Sequence, residues 1–179
     1  MIRFVTPYST ERDIGISYNR EVALTAHPDD WICMVDGDAM FTVRAFGHKI
    51  QEIIDANPEY STFTCMTNRV LTPYQRLAEH WWIESMAEHW DIGEARWDLF
   101  HTKVKDLTTE QPFSGVMILT QKKTWEAVGG FREGDGMLGI DNNFHKDCVQ
   151  AGFKVGLMQG IYLMHYYRNG DPKDKAHLL

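Results

Sequence analysis

The chain has 179 residues, long enough to bury a substantial core without disulfide staples. Its net charge is −7 and it has no basic run, so a nucleic-acid or anionic-membrane surface is not expected, because phosphate contacts need clustered cations. With 44% apolar and 24% charged residues, the balance is that of a soluble globular protein and argues against disorder. Cys33, Cys65 and Cys148 are odd in number, widely spaced and set in apolar segments. They predict reduced core thiols in a cytoplasmic protein rather than a disulfide framework. The first residues lack a long apolar run, and no later stretch approaches the roughly eighteen apolar residues of a membrane span.

Residues 2–6 form a short apolar run closed by Pro7, which predicts a strand and its terminal loop. Ile14, Tyr18 and Val22 give residues 14–26 a helical face, and His27-Pro28 ends it. Residues 31–35 are five consecutive apolar residues, which predict a strand buried on both sides. Strand, helix and strand make a parallel, right-handed βαβ unit, with the loop after Thr6 beside the end of the second strand. Thr6, Pro7, Tyr8 and Asn19 are therefore candidates for phosphate or base contacts, against the plainer reading of a surface loop.

The second strand ends in Asp36-Gly37-Asp38. Buried parallel strands present ligands at their carboxyl ends, and a glycine between the acids lets the backbone turn and a bulky anion approach. Two carboxylates at a dry strand end repel unless one is protonated or a cation lies between them. Hard oxygen donors of this kind suit Mg²⁺ or Mn²⁺, although Asp-Gly is also an ordinary turn signal.

Apolar residues at three- and four-residue steps predict a helix over 43–56, stopped by Asn57-Pro58. A strand over 62–67 follows and, running parallel, delivers Asn68 and Arg69 to the rim that holds the acids. Arg69 is placed there to grip a phosphate bidentately, or else is a solvated arginine. Residues 73–100 read as one long helix interrupted at Gly93, with His80 and His89 as polar positions on it. Residues 101–111 read as a flexible loop, and 113–120 as a strand in which Ser114-Gly115 allows a ligand close to the backbone. A short helix to Val128, capped by Gly129-Gly130, precedes a glycine-rich segment. A helix opened by Asp141 runs to Gln150, where that carboxylate is either a cap or a reagent. Residues 154–158 and 161–164 read as two strands, the second delivering His165 and Arg168. The tail, 168–179, reads as loose.

These pieces resemble the nucleotide-sugar glycosyltransferases of the GT-A fold, nearest the family 2-like group. The resemblance rests on Thr6-Pro7-Tyr8, Ile14-Gly15-Ile16-Ser17-Tyr18-Asn19, Asp36-Gly37-Asp38, Ser114-Gly115, Gly129-Gly130-Phe131, Gly139-Ile140-Asp141 and His165-Tyr166-Tyr167-Arg168, in that order over nearly the whole chain. It implies one α/β domain over 1–179, with a mixed, mostly parallel, Rossmann-like sheet flanked by helices. It also implies a D-x-D that holds a divalent cation bridging the donor diphosphate, with His165 completing the metal shell and Asp141 facing the acceptor. A nucleoside-diphosphate sugar, uridine diphosphate by default, is the implied donor, and a saccharide or other hydroxyl the acceptor. Family members carry a further strand and helix before the D-x-D, which this chain lacks. Base contacts then fall to Tyr8, Tyr18 and Asn19, with Gly37, Ser114, Gly115, Arg69 and Arg168 lining the donor site.

The expected chemistry is displacement of the diphosphate at the anomeric carbon, Asp141 acting as base if configuration inverts. A retaining transferase, a catalytically silent nucleotide-sugar-binding module and a phosphohydrolase of the haloacid-dehalogenase kind are the rival readings.

Overall fold

The computed structural model describes residues 1–166 except positions 11, 26, 135 and 137. Arg168 and the tail from 168 therefore lie outside the described residues. Among the described residues, five α-helices and seven strands follow in the order β1 (Ile2–Val5), α1 (Ile14–Ala23), β2 (Trp31–Val35), β3 (Ala39–Phe41), α2 (Phe46–Ala56), β4 (Tyr60–Thr67), α3 (Met86–Phe100), β5 (Val104–Asp106), β6 (Met117–Gln121), α4 (Lys122–Val128), α5 (Ile140–Gln150) and β7 (Lys154–His165). The sheet order is β1-β2-β6-β4-β7-β3, with β5 also paired to β7. β1 lies parallel to β2, and β4 to β7, while β6 runs antiparallel between β2 and β4. β1, β2, β4 and β7 thus share one direction in a mixed α/β sheet, as the residue pattern predicts.

The five residues of β2 are all buried, because both faces of the sheet are covered. Ile32 and Met34 enter a core shared with Tyr18 and Val22 of α1, Phe131, and Phe144 of α5. Trp31, Cys33 and Val35 point the other way, into a core with Ile50, Ile53 and Ile54 of α2 and Trp97 of α3. Cys33, Cys65 and Cys148 are buried free thiols, as expected.

Several local expectations change. The predicted helix over 73–100 resolves into an irregular stretch with one 3-10 turn (Ala78–His80), followed by α3. Ser85 caps α3 by accepting from the Glu88 N–H at 3.4 Å. Gly93 does not interrupt this helix. A Cβ there would stand 2.0 Å from the Thr42 carbonyl oxygen, so glycine is what lets α3 press against that backbone. Residues 104–106 are strand rather than loop, since β7 offers them an open edge. β7 is one strand, not two. Its register on β4 steps from Cys65↔Met158 to Met66↔Tyr162, and Gly160 in the resulting bulge passes close to the His101 carbonyl. Among the described residues, no helix is long and apolar enough to cross a membrane.

Candidate functional site

β2 and β4 end at the same rim of the sheet, and β7 runs along β4 to deliver His165 there. After β2 the chain turns, with the Ala39 N–H donating to the Asp36 carbonyl at 3.1 Å. β3 then lies antiparallel to the end of β7, with Ala39 opposite His165, and the Tyr166 N–H donates to the Asp38 carbonyl at 2.9 Å. This register brings the acids to the histidine. Asp36, Asp38 and His165 each present a ligand atom within 4.8 Å of the others.

The end of β4 grips His165 twice. The Asn68 side-chain oxygen accepts from the His165 backbone N–H, and the Arg69 carbonyl accepts from ring Nδ1, each at 2.8 Å. With Nδ1 donating, Nε2 is the basic nitrogen of the neutral ring, and it faces Asp38 Oδ1 at 3.3 Å. Two lone pairs so placed repel unless a proton or a cation lies between them. Burial, above all, pushes the Asp36 carboxyl up to about 6, and repulsion from Asp38 and Asp141 adds to this against the opposing pull of His165. Two carboxylates and an imidazole with its second nitrogen anchored form a donor set for a divalent ion, and the imidazole favours Mn²⁺ over Mg²⁺.

Asp141 approaches from the other side. It occupies the first turn of α5 and is not the cap, a position held by Gly139 with φ of 82°. Its carboxylate accepts from the Gly115 N–H at 2.6 Å and from the Asn142 N–H at 2.8 Å. A Cβ at Gly115 would come within 2.8 Å of the Asp141 Cβ, so glycine at 115 is a condition of this contact. Burial raises the Asp141 pKa, while the backbone N–H groups around it oppose the rise. Ser114 is fixed by Gln75, which accepts from its N–H at 2.7 Å and donates to its carbonyl at 3.1 Å.

The loop after β1 reaches the same place, since a Cβ on Gly37 would stand 3.5 Å from the Thr6 methyl. Tyr8 is 78% exposed, its carbonyl held by the Ser17 hydroxyl at 2.7 Å. A cleft of about 270 Å³ lies at the ends of β1 and β2, walled by Phe4, Thr6, Val35, Phe41 and Phe46, and neither acid lines it. A larger groove of about 510 Å³ lies at the ends of α4 and α5, away from these residues. Arg132 is engaged there with Asp147 at 2.7 Å, and the groove brings no chemistry with it.

Three expected donor contacts are placed differently. Tyr18 is buried and packs edge-on against Phe131 at 4.9 Å, so its ring is not open to a base. Burial, and then the charges of Asp36 and Asp141, hold its hydroxyl pKa far above the usual phenol range. Asn19 is a scaffold residue. It accepts from Trp125 Nε1 and the Phe131 N–H and donates to the Phe131 carbonyl and Glu133, which ties α1 to the segment after α4. Arg69 is 1% exposed and donates to the carbonyls of Trp81, Ile83 and Tyr166, so it is a buried staple and not a phosphate clamp.

The chain matches no family model, and no curated protein matches it.

Sequence reasoning brought Asn68 to the rim without its role as an acceptor for the His165 N–H, and missed Gln75 and Asp13 as organisers of the site. Asp13 caps α1 through the Gly15 N–H at 3.0 Å and also accepts from the Gly134 N–H at 2.6 Å, drawing the glycine-rich segment inward. A polar residue inside or beside an apolar run was the available signal, since such groups are buried only when hydrogen-bonded.

Proposed function

We propose that the protein is a divalent-metal-dependent glycosyltransferase that moves a sugar from a nucleoside-diphosphate donor, uridine diphosphate by default, to an acceptor hydroxyl with inversion. The observation carrying this reading is the convergence of Asp36, Asp38 and His165 at one strand end, with the His165 tautomer fixed by the Arg69 carbonyl.

Asp38 and His165 would hold the ion directly, with Asp36 as a third ligand or a ribose contact. A bound Mn²⁺ or Mg²⁺ supplies Lewis-acid neutralisation of charge on the departing diphosphate. Thr6, Pro7 and Gly37 let the diphosphate approach, and the base contact falls to the exposed Tyr8. Asp141 takes the acceptor proton, its raised pKa bringing it toward neutrality, where a base works best. Gly115 holds that carboxylate in place. A haloacid-dehalogenase-like reading gains no support from this arrangement, since the acid strand is the second of the chain and its first Asp is crowded rather than poised as a nucleophile.

Metal binding tests the reading. Calorimetric titration with Mn²⁺ is expected to give a site of one ion per chain. Asp38→Ala should weaken binding by a factor of about 10² or more, since it removes a direct ligand. Donor turnover that continues undiminished in excess chelator would sink the proposal.

A further inference from the structure

Among the described residues, Arg69 is the largest fully buried side chain, and its guanidinium is bonded to backbone. Nε donates to the Trp81 carbonyl at 2.7 Å, Nη2 to the Ile83 carbonyl at 3.3 Å and Nη1 to the Tyr166 carbonyl at 3.0 Å. Burying a guanidinium is costly unless its N–H groups are satisfied, so this position fixes those carbonyls firmly. They bracket Trp82 on both sides and include that of Tyr166. Trp82 is 60% exposed and Tyr166 50% exposed, and Trp81 meets Trp82 edge-on at 6.4 Å. Two aromatic side chains thus stand in solvent on backbone pinned by one buried cation. The same Arg69 orients His165 through its carbonyl. A ring held on a fixed frame can stack on a ligand with little further ordering cost.

We infer that Trp82 and Tyr166 form the stacking surface of an acceptor subsite for a saccharide, an inference that rests on the transferase reading of the neighbouring Asp36, Asp38 and His165. A pyranose presents hydroxyls around its edge and C–H bonds on its faces. Those C–H bonds carry partial positive charge and are drawn to the negative face of an aromatic ring. Glu84, exposed on the same segment, adds a carboxylate that can accept from sugar hydroxyls. Nucleic acid would also stack on such rings, but a chain of net charge −7 disfavours a polyphosphate. A lipid chain calls for a continuous aliphatic groove instead.

The test is a glycan array probed with the Mn²⁺-loaded full chain, followed by fluorescence titration of the bound oligosaccharides. Parallel measurements use Trp82→Ala, Tyr166→Ala, Trp82→Phe and Tyr166→Phe, with a single-stranded oligonucleotide as a competing ligand. Saturable glycan binding is expected, weakened about tenfold or more by each alanine and largely retained by each phenylalanine, with Mn²⁺ affinity unchanged throughout. Failure of Mn²⁺-binding protein to hold any glycan overturns the subsite. So does parental glycan binding by both alanine variants, or tighter binding of the oligonucleotide. Glycan binding lost in Trp82→Ala, by a protein that binds no Mn²⁺, upholds the platform and overturns the transferase reading.

Discussion

Asp36 carries the electrostatic tension of the site. Its raised carboxyl pKa means that the native state holds a proton more tightly than the unfolded chain does, so stability falls as pH rises from about 4 through about 6. Above that window the full cost of the buried charge is present. Asp36→Asn should therefore stabilise the metal-free protein at pH 7, on the order of 2 kcal/mol or roughly 5 °C in Tm, with the advantage gone below about pH 4. Thermal melts of both proteins across pH check this, and an advantage of the Asn variant over the parent no larger at pH 7 than at pH 4 would contradict it. Asp141 makes the complementary case. Asn keeps one oxygen for the Gly115 or Asn142 N–H but cannot act as a base, and acceptor transfer should fall by about 10²- to 10⁴-fold while Mn²⁺ binding persists. Transfer within a few-fold of the parent would remove Asp141 from the mechanism. The carboxylates and the histidine were legible in the sequence because their residue types advertise chemistry. The roles of Arg69 and Asn19 were not, since a side chain with several donors reads alike whether it meets a phosphate or three carbonyls.

At the scale of elements, the buried strand and the helices over 14–26 and 43–56 followed from apolar runs and spacing, and the two C-terminal helices from the glycines and Asp141 at their ends. The long helix over 73–100 did not survive, because residues 71–85 take their shape from distant partners. Arg69, Gln75 and the β4 edge fix that segment, and none of these contacts leaves a local periodicity. β3 and β5 are three residues each, too short for an alternation to register, and exist because β7 gives them an edge. Gly93 was legible as special but not why. Its role is close approach to Thr42, which holds α3 near the strand bearing Tyr162. Gly93→Ala should cost about 2–4 kcal/mol in denaturant unfolding, through overpacking rather than helix propensity, which alone favours alanine. A neutral or stabilising result would show that α3 can shift freely.

For the whole molecule, one mixed sheet with a core on each face points β2, β4 and β7 the same way, with β6 between the first two, and the acids, Asn68-Arg69 and His165 meet at their common end. The shared rim was readable from the expected parallel run of these strands, whereas the closure of the acids on His165 depends on the β3–β7 register, which left no sequence pattern. The chemistry at the rim is the claim that matters most. Its most direct test is a panel of nucleoside-diphosphate sugars incubated with the protein and Mn²⁺, with release of nucleoside diphosphate as the readout. At least one donor, a uridine diphosphate sugar first among them, should release its diphosphate in the presence of Mn²⁺, with release abolished by chelation and by Asp38→Ala. Binding of Mn²⁺ without release from any donor in the panel, or release indifferent to both chelation and Asp38→Ala, would contradict the assignment.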